Sequence, residues 1–274
     1  MPASRAGRRP WRDLGLKGRA ALVAGASKGI GRACARALAG EGARVAICAR
    51  SADELGRTAE AIRAETGGEV LAIPADVREP GDVRALVART LQAFGALEIL
   101  VTNAGGPPPG LFDQMTDADW QAAFELNFLS TVRLVREALP HMRRQGWGRI
   151  INIQSTSVRQ PIEGLVLSNG IRPGVAGLTR SLVNEVSRAG VTVNTVCPGR
   201  ISTDRSRGYL ESRAKAAGMS YEDYERREMA SIPMGRMGQP DEIGYVVAFL
   251  ASERASYLTG VALQVDGGLV RGLI

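Results

Sequence analysis

The sequence predicts an α/β fold: a single doubly wound parallel sheet with helices on both faces. Three observations carry this. Short apolar runs rich in β-branched residues alternate with amphipathic segments of ten residues or more along most of the chain. Successive strands joined by such helices require right-handed parallel crossovers, which cover the sheet on both sides. The 274 residues, 45% of them hydrophobic, suffice for one substantial core.

The elements follow in order. Residues 1–15 are rich in Arg, Pro and Gly and read as a flexible basic arm; residues 16–274 form the one domain. AALVAG leads into the helix GRACARALAGEG, RVAICA into ADELGRTAEAIRAE, EVLAIPAD into PGDVRALVARTLQAFG, and LEILVTNAG into a long helix from about Asp117 to Arg144. GRIINIQS is the next strand. The helix after it contains GVAGLTRSLVNEVSRA. Pro173 lacks an N–H and suits a first helical turn, so regular helix is expected to begin or kink there. VTVNTVCPG is a strand, Thr203 to Ser231 a polar insertion, QPDEIGYVVAFLAS a helix and GVALQVDG the last strand.

Composition narrows the partners. The net charge is +7, and with Lys17, Lys28 and Lys215 the only lysines, the excess is arginine. The arginines are scattered among acids without interleaved aromatics, which argues against nucleic acid and leaves an anionic ligand or partner. Cys34, Cys48 and Cys197 stand singly in apolar surroundings without metal-ligand spacing, as buried thiols in a reducing cytoplasm do. His141, the sole histidine, reads as a residue of a helix end. The apolar run after the N-terminal arginines is too short for an export signal, and no stretch approaches the ~20 apolar residues of a membrane span.

Gly25-Ala26-Ser27-Lys28-Gly29-Ile30-Gly31 joins the first strand to the first helix. Glycines permit a tight turn and close approach of a pyrophosphate, and the helix N-terminus supplies free N–H groups and partial positive charge. An acid ending the second strand would select a ribose 2′-hydroxyl. That strand instead ends in Arg50, and Arg50 with Lys28 suits a 2′-phosphate, so the expected cofactor is NADP(H).

Four segments carry a broader resemblance: VAGASKGIGRACARAL at 23–38, TNAGG at 102–106, SLVNEVSRAGVTVNTVCPGRIST at 181–203 and SYLTGVALQVDGG at 256–268. From about Leu16 to its end the chain resembles the short-chain dehydrogenase/reductase family, with its Rossmann-type domain, and most of all the β-ketoacyl carrier-protein reductases. The resemblance implies that Asp76 and Val77 lie along the adenine. It sets Asn103, Ala104 and Gly105 beside the cofactor, and Pro198, Gly199, Ile201 and Thr203 at the nicotinamide amide. It further implies that Asn127 organises a proton-carrying water and that Ser155 polarises a substrate carbonyl. A carbonyl or acyl thioester substrate, free or on a carrier protein, a lid at about 203–231 and a homodimer or homotetramer also follow from it.

The family's Tyr-x-x-x-Lys pair falls by the same comparison on Ser168 and Arg172. An alkyl hydroxyl is far less acidic than a phenol, and an arginine stays protonated, so neither replaces the general acid. Its loss typically costs ~10²–10⁴ in rate. Arg172 can still bind ribose hydroxyls, a carboxylate or an enolate. Tyr209, Tyr221 and Tyr224, with Glu222 or Asp223, are candidate replacement donors; their alternative use is to pack the insertion onto the body. The leading expectation is an NADP(H)-dependent oxidoreductase interconverting a carbonyl and an alcohol. A lyase, isomerase or cyclase on the same scaffold and a dinucleotide-binding protein without turnover are the alternatives.

Overall fold

The computed structural model describes residues 13–273, so all but the last three residues of the expected arm lie outside it. Seven strands form one parallel sheet: β1 (Ala20–Ala24), β2 (Arg44–Ala49), β3 (Val70–Pro74), β4 (Ile99–Thr102), β5 (Gly148–Ile153), β6 (Val191–Pro198) and β7 (Ala262–Val265). Their order is β3-β2-β1-β4-β5-β6-β7, with Val23 beside Ile47 on one side and Val101 on the other. The order reverses between β1 and β4, and the crevice beyond their carboxyl ends is where such sheets take ligands.

Strand periodicity explains the two-sided core. Ala21 and Val23 point to one face, where they meet α1 (Gly29–Gly40), α2 (Ala52–Thr66) and α9 (Pro240–Ala251) through Leu38, Leu55 and Val247. Ala20, Leu22 and Ala24 point to the other, against α3 (Pro80–Phe94) and α5 (Ser130–Gln145) through Leu86 and Leu134. A Cβ at Gly244 of α9 would lie 2.6 Å from the Ala33 carbonyl oxygen, so glycine lets α9 pack directly on α1.

Two elements depart from expectation. The long helix is divided: α4 (Asp117–Phe124) passes through a π-helical turn at Glu125–Leu129 into α5. Asn127 lies inside that turn. The second is a correction. α6 (Val166–Val186) starts seven residues before Pro173 and carries the proline within it. Proline removes only the bond to the Asn169 carbonyl, and tertiary packing outweighs that loss. Leu167 and Ile171 are buried with Ala123, Trp120 and Phe128. Cβ atoms at Gly170 and Gly174 would lie 2.9 Å from Trp120 and 3.0 Å from Phe128, so both glycines allow close approach. The Asn169 side chain also ties the first turn down, accepting from Ile162 N–H at 3.0 Å and donating to its carbonyl at 2.8 Å.

The polar insertion is helical. Thr203 caps α7 (Asp204–Ala216) and Ser220 caps α8 (Tyr221–Ala230). Their facing sides share a small core of Leu210, Ala214 and Tyr224, flanked by Tyr209, Met219, Tyr221 and Met237. Among the described residues no helix is long and apolar enough to cross a membrane.

Candidate functional site

The glycine turn opens onto the crevice. Gly25 and Gly29 have φ of +58° and +56°, a region side chains disfavour. A Cβ at Gly31 would sit 2.2 Å from the Gly25 carbonyl oxygen, so this glycine packs the turn against its helix. Lys28, the residue before α1, offers no side-chain cap, which leaves the first N–H groups of a twelve-residue helix open to an anion. The Ser27 carbonyl accepts from Thr58 Oγ1 at 2.7 Å, fixing the turn to α2. Asn103 closes the crevice from the β4 side. Its amide donates to the Ala24 and Gly25 carbonyls at 3.2 and 3.0 Å.

Around this turn the structure gathers the sequence-expected residues. The Thr203 side chain stands 3.4 Å from where a Cβ of Gly29 would be, and Ile201 is buried behind it. Gly199 lies against Asp266. Arg50 is exposed, and Lys28 pairs with Glu54 at 3.6 Å. The Asp76 carboxylate is held below the usual range by hydrogen bonds from Arg78, while Val77 is buried.

The second half of the site stands at the end of β5. A buried polar chain locks α6 to the sheet beneath it. Thr102 Oγ1 donates to Asn152 at 2.7 Å, Asn152 donates to Thr179 at 3.0 Å, and Thr179 meets the Thr195 hydroxyl at 3.0 Å. Above this chain Ser155 Oγ accepts the Ser157 N–H at 3.1 Å, so its own proton is available outward. Ser157 Oγ and Ser168 Oγ lie 3.1 Å apart and buried. One turn further along α6, Arg172 Nη1 donates to Gln154 Oε1 at 3.2 Å. Because α6 is continuous, Ser168 and Arg172 share its buried face. Burial pushes the Arg172 pKa down to about 10, with Arg205 adding to the effect.

Asn127 reaches the same place from the π-helical turn. Its Nδ2 donates to the Gly105 carbonyl at 2.7 Å, and its Oδ1 is buried with no partner. A buried acceptor left unpaired is costly unless a water or ligand donates to it.

The insertion contributes an arginine to the site, and Tyr209, Tyr221 and Tyr224 pack in or against the α7–α8 core. Tyr224 is buried in the α7–α8 core, and Tyr221 donates to Glu225 at 2.9 Å. Arg205, in the first turn of α7, reaches the 105–107 loop and donates to the Pro107 carbonyl at 3.0 Å. A Cβ at Gly106 would lie 2.6 Å from Arg205 Nη2 and 3.3 Å from Arg172 Nη2. The two guanidinium groups therefore flank one glycine. Sequence reasoning missed Gln154, Ser157, Gly106 and Arg205. The signals for them were the Ser-Thr-Ser run at 155–157 and the TNAGG segment that ends in Gly106. His141 is elsewhere, beside Arg144 on α5, with its pKa lowered by burial and that cation. Among the described residues no cluster of His, Cys, Asp or Glu could hold a metal.

The fold and the site define an α/β protein built to present a helix N-terminus and a row of hydroxyl, amide and guanidinium groups across one crevice. Residues 25–270 match the enoyl-(acyl carrier protein) reductase family model. The chain is 38% identical over 256 residues to the 3-oxoacyl-acyl-carrier-protein reductase of Vibrio cholerae, covering 93% of this chain and 99% of that one. With the corresponding Escherichia coli protein the identity is 36% over the same shares. L-Sorbose reductase from Gluconobacter frateurii, solved with NADPH and L-sorbose, superposes with a TM-score of 0.91 at 33% identity, over 95% of this chain and all of that one. An actinorhodin polyketide ketoreductase variant with NADPH superposes with a TM-score of 0.89 at 36% identity, over 93% and 98%. This chain belongs to the short-chain dehydrogenase/reductase family.

Proposed function

We propose that this protein is an NADP(H)-dependent oxidoreductase that interconverts a carbonyl and an alcohol. In this reading Ser168 and Arg172 occupy the positions where the family carries its tyrosine and lysine. The observation that carries the reading is the convergence of the open α1 N-terminus, Ser155, Asn127 and Arg172 on one crevice at the carboxyl ends of β1, β4 and β5. The names of the relatives, reductases among them solved with NADPH, support it.

The residues present fit the dinucleotide. The uncapped α1 N-terminus and Gly25, Gly29 and Gly31 would hold its pyrophosphate. Arg50 and Lys28 would hold a 2′-phosphate, Lys28 exchanging Glu54 for it. Asp76 and Val77 would border the adenine, Asn103, Ala104 and Gly105 would flank the dinucleotide, Arg172 would reach its ribose hydroxyls, and Pro198, Gly199, Ile201 and Thr203 would border the carboxamide. When bound, the nicotinamide exchanges a hydride with the substrate carbon.

The chain's own groups manage the oxygen and the proton. Ser155 donates to the carbonyl oxygen, its lone pair already engaged by the Ser157 N–H. Arg172 sets a positive charge beside the alkoxide that develops. Ser168, an alkyl hydroxyl, is not acidic enough to protonate it, and Arg172 serves as the cation that stabilises it. The proton is therefore drawn from bulk solvent, passed through a water that the orphaned Asn127 Oδ1 would hold and over the Ser157–Ser168 hydroxyl pair, each relay member regaining the proton it gives up. The 203–231 segment serves as the lid. A homodimer or homotetramer acting on a small carbonyl compound or an acyl thioester, free or carrier-bound, completes the proposal.

The buried pairing of Ser168 with Ser157, an alkyl hydroxyl where the family carries a phenol, favours one further reading, catalysis without hydride transfer. NADPH consumption over a panel of ketones and β-ketoacyl thioesters, with alcohol measured alongside, separates the two. The account expects one alcohol per NADPH. It also expects a gain of about 10²–10⁴ in rate on neutral ketones for the Ser168→Tyr/Arg172→Lys variant. Product without NADPH consumption would overturn it.

A further inference from the structure

The face of the site turned toward the substrate carries more positive charge than carbonyl chemistry requires. Arg172 is only 7% exposed, and its polar partner is the neutral amide of Gln154. Arg205 bonds a neutral carbonyl, that of Pro107. Among the described residues neither arginine has a carboxylate within ion-pairing distance, whereas Arg200 pairs with Glu228 and Arg236 with Glu242. Arg205 also occupies the first turn of α7, where the helix dipole opposes a cation. Three unfavourable features thus coincide: a buried cation without a counter-charge, a second cation beside it, and a helix N-terminus pointing the same way. Gly106 lets both guanidinium groups close on the 105–107 loop, since any side chain there would meet both.

We propose that the substrate bears a carboxylate, held between Arg172 and Arg205 against the 105–107 loop. Two planar guanidinium groups match the two oxygens of a carboxylate, with charge-assisted bonds that a neutral ketone cannot return. The acid releases the repulsion between the arginines and supplies the absent counter-charge. Arg205 comes from α7 and already rests on the 105–107 loop, so the acid would bridge the 203–231 segment to α6. The substrate class is then an oxo acid whose carboxylate lies a few bonds from the reacting carbonyl. This inference rests on the carbonyl–alcohol reading above and deepens it.

The test is binding rather than turnover. Calorimetry on the full chain saturated with NADP⁺ compares short 2- and 3-oxo acids with their methyl esters. The acids are expected to bind roughly 10–100-fold tighter than the esters. Arg205→Gln should erase that preference, Arg205→Lys should keep part of it, and NADPH affinity should stay within about twofold in both. Equal affinity for acid and ester, a preference that survives in Arg205→Gln, or equal displacement of the acid by inorganic phosphate would overturn the proposal. So would loss of NADPH affinity in Arg205→Gln, because that arginine would then serve the cofactor. The two readings fail separately. Turnover of neutral ketones without acid preference sinks this one alone, and acid preference without any NADPH oxidation sinks the carbonyl–alcohol reading alone.

Discussion

Arg172 sits under strain that its neighbours do not relieve. A guanidinium whose pKa burial pushes down to about 10 is a cation the fold holds at a cost. The group is charged in both folded and unfolded chains below about pH 10, so the penalty is present in full at neutral pH. It fades as pH rises through the folded value. Arg172→Met is therefore expected to raise stability by about 1–2 kcal/mol at pH 7 while abolishing activity. That figure already allows for leaving Gln154 Oε1 unpaired. Urea unfolding at pH 7 and near pH 10 checks it: the advantage should shrink at the higher pH, and a variant less stable than the parent at pH 7 would contradict it. The serines are less demanding. Ser168 satisfies its hydroxyl on Ser157, so its burial costs little and it can persist without an acidic role.

At the level of elements, α9 owes its seat to one glycine. Gly244→Ala would drive a methyl group to 2.6 Å from the Ala33 backbone carbonyl, which cannot swing aside. Overpacking of this kind costs typically 1–3 kcal/mol. Since α1 carries the glycine turn, NADPH affinity should fall with the melting temperature; a variant as stable as the parent would show that the helices slide apart freely. The strands, their parallel order and the glycine turn were legible in the sequence because each rests on a local pattern: alternation, a glycine at positive φ, a run of apolar residues. The start of α6 was not. Pro173 is a genuine local signal for a helix start, and it is overridden by contacts of Leu167, Ile171, Gly170 and Gly174 with residues forty to fifty positions away in sequence. The π-helical turn at Asn127 has no sequence signature at all. Arg205 was hidden for a related reason: in a segment of mixed charge, nothing local marks the one arginine that turns inward.

For the whole molecule, the two faces of the sheet are filled but the outer surface is not uniformly polar. Tyr245 and Phe249 of α9 and Leu263 of β7 are exposed, as is Leu258 between them. Exposed large apolar groups such as these are what a second copy would cover. The chain is expected to self-associate there. Light scattering should find a dimer or tetramer, and Phe249→Glu should shift it to a smaller species; a parent protein that runs as a monomer would contradict the expectation. The net charge of +7 acts on the same scale, drawing anionic compounds toward the crevice at low salt.

The most direct test of the central claim is isotope transfer. The wild-type protein is incubated with NADPH deuterated at the transferable position and a panel of oxo acids and ketones, and the products are read by mass spectrometry. The account predicts one deuterium on the new carbinol carbon. A product free of deuterium would contradict it and give the site to chemistry in which no hydride moves.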